Sequence, residues 1–91
     1  MITWREALDS VNEIFYTTDD INAEVFVYMD QLKLDSNEED GDYFLPWQFR
    51  LQWDHCNVHF DVYSHMGFKT KEAAIEFVET VVRLHKLEKE R

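Results

Sequence analysis

The alternation over residues 43–54 constrains this chain more than any other feature. Tyr43, Leu45, Trp47, Phe49, Leu51 and Trp53 fall on one side of an extended chain, and Gln48, Arg50 and Gln52 on the other. Successive strand side chains point to opposite faces, so the spacing predicts a strand with one buried, aromatic face. Pro46 lacks an amide donor, which puts the start of that strand at an edge or a bulge. His55-Cys56-Asn57 reads as a short connection. Alternation then resumes over 58–66, with Val58, Phe60 and Val62 inward and His59, Asp61 and Tyr63 outward. Together the two runs predict an antiparallel hairpin.

Helical spacing flanks that hairpin. Trp4, Ala7, Leu8, Val11, Ile14 and Phe15 follow a 3-4-3 rhythm, and Thr3 with Glu6 has the form of a capping box. This predicts an amphipathic helix over 3–16. Segment 20–34 carries both patterns. Ile21, Val25, Tyr28, Met29 and Leu32 cluster on one helical face behind an N-cap at Asp20, yet Val25-Phe26-Val27-Tyr28 is rich in strand formers. As one regular strand neither face stays apolar without a bulge near Met29, so helix is the preferred reading. The last segment predicts a helix over 70–88, with Thr70 as N-cap and Glu72 at its positive start. Its buried stripe is Ala74, Phe77, Val78, Val81 and Leu84, widened by Ile75 and Val82. The fold class expected is α+β: a small domain over 1–91 with an antiparallel hairpin or three-stranded sheet against two or three helices.

If 20–34 is a strand instead, the order becomes α-β-β-β-α, with the helix entry Gly67-Phe68-Lys69-Thr70-Lys71-Glu72-Ala73-Ala74 after the third strand. That order resembles the double-stranded-RNA-binding domain. The resemblance implies a lysine cluster at the helix start to meet phosphates. Here Lys69 and Lys71 stand beside Glu72, Glu76 and Glu79, so RNA binding is not carried over.

Charge then narrows the functional classes. Residues 1–45 hold two bases and twelve acids, which accounts for the whole net charge of −10; residues 46–91 hold seven of each. Such a field repels phosphate and attracts basic surfaces. Residues 35–42, with five acids and a glycine, read as a polar acidic loop. No run of apolar residues is long enough for a membrane helix. The start lacks the basic and apolar regions of a secretory leader, and one cysteine, Cys56, excludes a disulfide framework. The expected location is cytoplasmic.

The chemistry-bearing residues do not assemble into a catalytic pattern. His55, His59, Asp61, Tyr63 and His65 lie in one short stretch, but a zinc site needs three or four converging donors, and strand residues two apart do not converge. Cys56 has His55 and Asn57 only as sequence neighbours, which a strand sends to opposite faces. Trp4, Trp47 and Trp53 are in phase with core residues. No enzyme activity, cofactor or metal is therefore expected.

The leading expectation is a non-enzymatic acidic interaction module of the inhibitor or immunity-protein type, comparable in size and charge to phage-encoded nucleic-acid mimics. It would dock on a basic, nucleic-acid-binding surface of another protein and would not bind nucleic acid itself. The candidate contact residues are Asp19, Asp20, Glu24, Phe26, Asp30, Asp35, Glu38, Glu39, Asp40 and Asp42. The alternative is a ligand- or metal-binding module using the polar sheet face at Arg50, His59, Asp61 and Tyr63. A third expectation is a homodimer joined through a free sheet edge.

Overall fold

The structure is a computed structural model that describes residues 2–29, 45–54, 56–60 and 67–90, the segment 56–60 by its backbone. Among these, five strands form one antiparallel sheet in chain order: β1 (Arg5–Leu8), β2 (Ile14–Thr17), β3 (Glu24–Met29), β4 (Trp47–Trp53) and β5 (Cys56–Phe60). One helix, α1 (Lys71–Leu84), packs on one face over β3 and β4. The fold is α+β, as expected. No helix among the described residues is long and apolar enough to cross a membrane.

The expected helix over 3–16 is instead the hairpin β1–β2. The turn explains the difference. The Asp9 carboxylate accepts the amides of Val11 and Glu13, both at 2.9 Å, and the Asn12 amide bonds to the Asp9 carbonyl at 3.1 Å. Asn12 adopts φ 64°. This is a type I turn followed by a left-handed residue, a common three-residue hairpin loop, and Asn tolerates that conformation well. The predicted capping box does not form. The Thr3 amide donates to the Asp20 carboxylate at 2.7 Å, and Glu6 accepts the Tyr16 hydroxyl at 3.1 Å.

The preference for a helix over 20–34 is also overturned in its described part, where Glu24–Met29 is a strand. Val25 and Val27 are fully buried between α1 and the sheet, while Glu24 and Phe26 face the other way. Its pairing with β4 is regular through Met29, without a bulge in the described part. Because the first segment is a hairpin, the order among the described residues is β-β-β-β-β-α, and the resemblance to the double-stranded-RNA-binding domain falls away. The two or three helices expected reduce to one among the described residues.

The hairpin β4–β5 forms as predicted, and its register pairs Phe49 with Phe60 and Leu51 with Val58. Its connection is shorter than the sequence suggests. Trp53 pairs with Cys56 across a two-residue loop, and Asp54 takes φ 47°, the left-handed conformation such loops require. Residues 43–44 and 61–66 lie outside the described residues.

Helix α1 starts as predicted, with the Thr70 hydroxyl accepting the Ala73 amide at 3.1 Å. It stops earlier than 88. Leu87 N–H bonds to Val82 C=O and Lys86 N–H to Arg83 C=O, with Lys86 at φ 55°. These bonds define a Schellman stop. Leu84, predicted to be buried, is 75% exposed. The tail then turns back. Asn22 N–H bonds to Leu87 C=O and Lys89 N–H to Asp20 C=O, which seats Leu87 in the core beside Ile21. The core comprises Ile21, Val25, Val27, Phe49, Leu51, Ala74, Val78, Val82 and Leu87, and the three tryptophans pack around it. Trp4 Nε1 also donates to Glu79 at 2.9 Å, tying the chain start to the helix.

Candidate interaction surface

Strand alternation sets what each sheet face presents near the β1–β2 turn. On the helix side, Leu8 pairs with Ile14 and Met29 with Trp47. Phe15 pairs with Tyr28, so one step along that register Ile14 comes opposite Met29. Leu8, Ile14, Met29 and Trp47 therefore make a row of apolar side chains across four strands. Trp47, at its inner end, packs against the core, and the other three side chains are exposed. Leu8 is 61% exposed, Ile14 51% and Met29 43%. Tyr16 marks the boundary of the covered core: its ring lies beneath Lys71 Nζ at 4.3 Å and near the Trp47 ring at 6.2 Å. A cleft of about 410 Å³ opens along the row, lined by Ile14, Tyr16, Met29 and Trp47 and closed at the turn by Asn12 and Glu13. Val11, at the tip of the turn, is exposed as well.

The opposite face is aromatic. Phe15 and Phe26 meet edge to face at 5.2 Å, a favourable ring geometry. With Tyr28 and Arg50 they line a second cleft of about 360 Å³, whose turn end is formed by Asp9 and Glu13. Both faces of the hairpin end are thus apolar at the centre and carboxylate-rimmed at the turn. Between residues 2 and 29 a single base, Arg5, stands against Glu6, Asp9, Glu13, Asp19, Asp20 and Glu24. Contiguous exposed apolar surface with a polar rim marks an interaction site more often than an ordinary surface.

The predicted contact residues divide into three groups. Phe26 lies on the aromatic face and is 38% exposed. Val27, which a helix would have exposed beside it, is instead fully buried by strand alternation. Glu24 begins β3, exposed on the same face as Phe26. Asp19 and Asp20 are engaged within the fold: Asp19 pairs with Arg5 at 3.2 Å, and Asp20 holds the Thr3 amide and, through its carbonyl, the tail. Asp30, Asp35, Glu38, Glu39, Asp40 and Asp42 lie outside the described residues. Of the alternative set, Arg50 is exposed in the aromatic cleft and pairs in register with His59; Asp61 and Tyr63 lie outside the described residues. Among the described residues, no three His, Cys, Asp or Glu side chains are grouped to hold a metal ion.

Helical spacing hid the principal surface residues. Leu8, Val11 and Ile14 fit a buried helical stripe, and the hairpin turns them outward. The signal that exposes them is the turn sequence Asp9-Ser10-Val11-Asn12 set before the strand formers Ile14-Phe15-Tyr16-Thr17. No protein-family model, curated protein or solved structure matches this chain.

Proposed function

We propose that this protein is a non-enzymatic, acidic binding module that docks on a basic surface of another protein, of the kind a nucleic-acid-binding enzyme presents, and blocks it. The observation that carries this reading is the hairpin end of the sheet, where an uncovered apolar row and an aromatic cleft share a carboxylate rim. The apolar residues supply the desolvated centre of an interface and the carboxylates its polar rim. Carboxylates meet Arg and Lys in the charge-assisted geometry that phosphates use, so occupancy by the module excludes nucleic acid. The excess negative charge speeds encounter with a basic partner.

The test is capture of partners by the tagged full chain at low and high salt, with a variant in which Glu13, Glu24, Glu38, Glu39, Asp40 and Asp42 are neutralised. The expected result is one dominant nucleic-acid-handling protein, released by salt and lost with the variant, whose nucleic-acid binding the purified module inhibits. Equal capture by parent and variant would overturn the electrostatic mechanism.

The aromatic cleft supports a second reading, a site for a small planar anion held between Phe15, Phe26 and Tyr28 with its charge on Arg50. Calorimetric titration with aromatic carboxylates separates the two readings. Binding that is lost in Arg50→Gln would favour the ligand module.

A further inference from the structure

The first edge of the sheet offers backbone as well as side chains. Asp9 N–H donates to Glu13 C=O at 3.0 Å. Hydrogen-bonded and non-bonded pairs alternate along an antiparallel ladder, so Ala7–Phe15 and Arg5–Thr17 are bonded pairs while Leu8–Ile14 and Glu6–Tyr16 are not. The N–H and C=O groups of Glu6 and Leu8 therefore point away from β2, to the outer side of β1, the outermost strand among the described residues. The side chains of the same two residues lie on the helix side of the sheet, Leu8 at the end of the apolar row. Edges are commonly blunted by proline, a bulge or lysine. β1 is short and carries the charges of Arg5 and Glu6, but it has no proline or bulge, and its register with β2 is continuous.

We propose that β1 accepts an added antiparallel strand from a partner protein, with an apolar residue opposite Leu8 and, two residues later, a Lys or Arg opposite Glu6. This inference rests on the binding-module reading and specifies its contact. The apolar residue extends the Leu8–Ile14–Met29–Trp47 row by one position. The base meets the Glu6 carboxylate, which accepts one bond from Tyr16 and keeps further lone pairs. The residue preceding the apolar one falls opposite Asp9, on the other face, where a second base is favoured. The partner strand thus reads basic, apolar, any, basic. Main-chain bonds supply affinity and the alternating side chains specificity. A second copy of this chain fits worse. In the register that sets each Glu6 against a Leu8, Arg5 of one copy meets Asp9 of the other, but neither Glu6 gains a base and Arg5 is already paired with Asp19; in the register that sets Glu6 against Glu6 the two carboxylates repel.

The probe is a short synthetic peptide, blocked at both ends, with Lys-Val-Thr-Arg at its centre. Amide chemical-shift mapping on the full chain is expected to place it at Glu6 and Leu8, with slowed hydrogen exchange of both amides. Leu8→Pro removes an outward N–H while sparing the β1–β2 bonds, a tolerated edge position for proline. Leu8→Ala removes side chain alone. Binding to Leu8→Pro should be about tenfold weaker than to Leu8→Ala, the loss expected for main-chain pairing. A peptide N-methylated at the amides facing β1 should bind no better than a scrambled one, which tests the point even if Leu8→Pro unfolds. No binding of the parent peptide, unchanged binding of the N-methylated one, or equal binding to the two variants would overturn strand addition. A salt-sensitive protein partner still captured by a folded Leu8→Pro variant would leave the binding-module reading standing while strand addition falls. Sedimentation showing a dimer that Leu8→Pro dissolves would overturn the choice of partner.

Discussion

Lys86 takes φ 55° in the stop that ends α1, and a side chain in that conformation costs about 1 kcal/mol relative to glycine. Its side chain is exposed. Lys86→Gly is expected to stabilise the protein by about 1 kcal/mol, less the extra chain entropy glycine brings to the unfolded state. Urea unfolding would show this as a raised midpoint at unchanged slope. An unmoved or lowered midpoint would mean that the stop is held by the Leu87–Val82 contact irrespective of the residue at 86. Gly67 presents the opposite case. A Cβ there would lie 2.6 Å from the Leu45 carbonyl oxygen and 2.6 Å from Gln48 Nε2. Those two groups are hydrogen-bonded to each other at 3.0 Å, and Gln48 is fully buried with Oε1 unpaired. The carbonyl belongs to the backbone and cannot step aside. Gly67→Ala should cost about 1–3 kcal/mol, the range of overpacked cores, and thermal unfolding would measure it.

At the scale of elements, the β1–β2 hairpin depends on its turn more than on its strands, which are four residues each. Asp9→Ala removes the acceptor of two turn amides and should cost about 1 kcal/mol, whereas Asp9→Asn, which keeps an acceptor oxygen, should cost less. Amide exchange resolved by residue checks this: in Asp9→Ala, exchange should quicken at Ala7 and Phe15 before it does at Val25. The same turn explains how much of the fold the sequence disclosed. Strand β4 was legible because Trp47, Phe49, Leu51 and Trp53 alternate without a break, and the α1 start because Thr70 caps a wide apolar stripe. The hairpin was not, because its apolar residues fall by coincidence at helical intervals, and a periodicity argument weighs spacing above turn chemistry. In 20–29 the strand formers Val25–Tyr28 prevailed over the helical wheel once pairing on both sides, with β2 and β4, satisfied the backbone. The surface followed the elements. Phe26 and Glu24 were found as exposed residues, whereas Leu8, Ile14 and Met29 became visible only with the correct strand register.

On the scale of the whole molecule, the one helix among the described residues covers the middle of the sheet, and the hairpin end is exposed. The molecule extends 46 Å along its longest axis against 27 and 24 Å across. Stability and binding are therefore separable. The core lies under α1 around Val27, Phe49 and Val78, while Leu8, Ile14 and Met29 are about half exposed and add little to it. Replacing all three with threonine, a good strand former, should change the free energy of unfolding by less than about 1 kcal/mol, since exposed positions seldom matter more. The same variant should lose the apolar anchor of the interface and keep its charge. Its partner capture should then weaken at every salt concentration, with the association rate little altered and dissociation faster. The charge-neutralised variant should do the reverse, slowing association and flattening its salt dependence. Surface-bound kinetics at several ionic strengths would read both. If the threonine variant dissociates no faster than the parent, the apolar row is not the anchor, and binding must be sought on the aromatic face around Phe15 and Phe26.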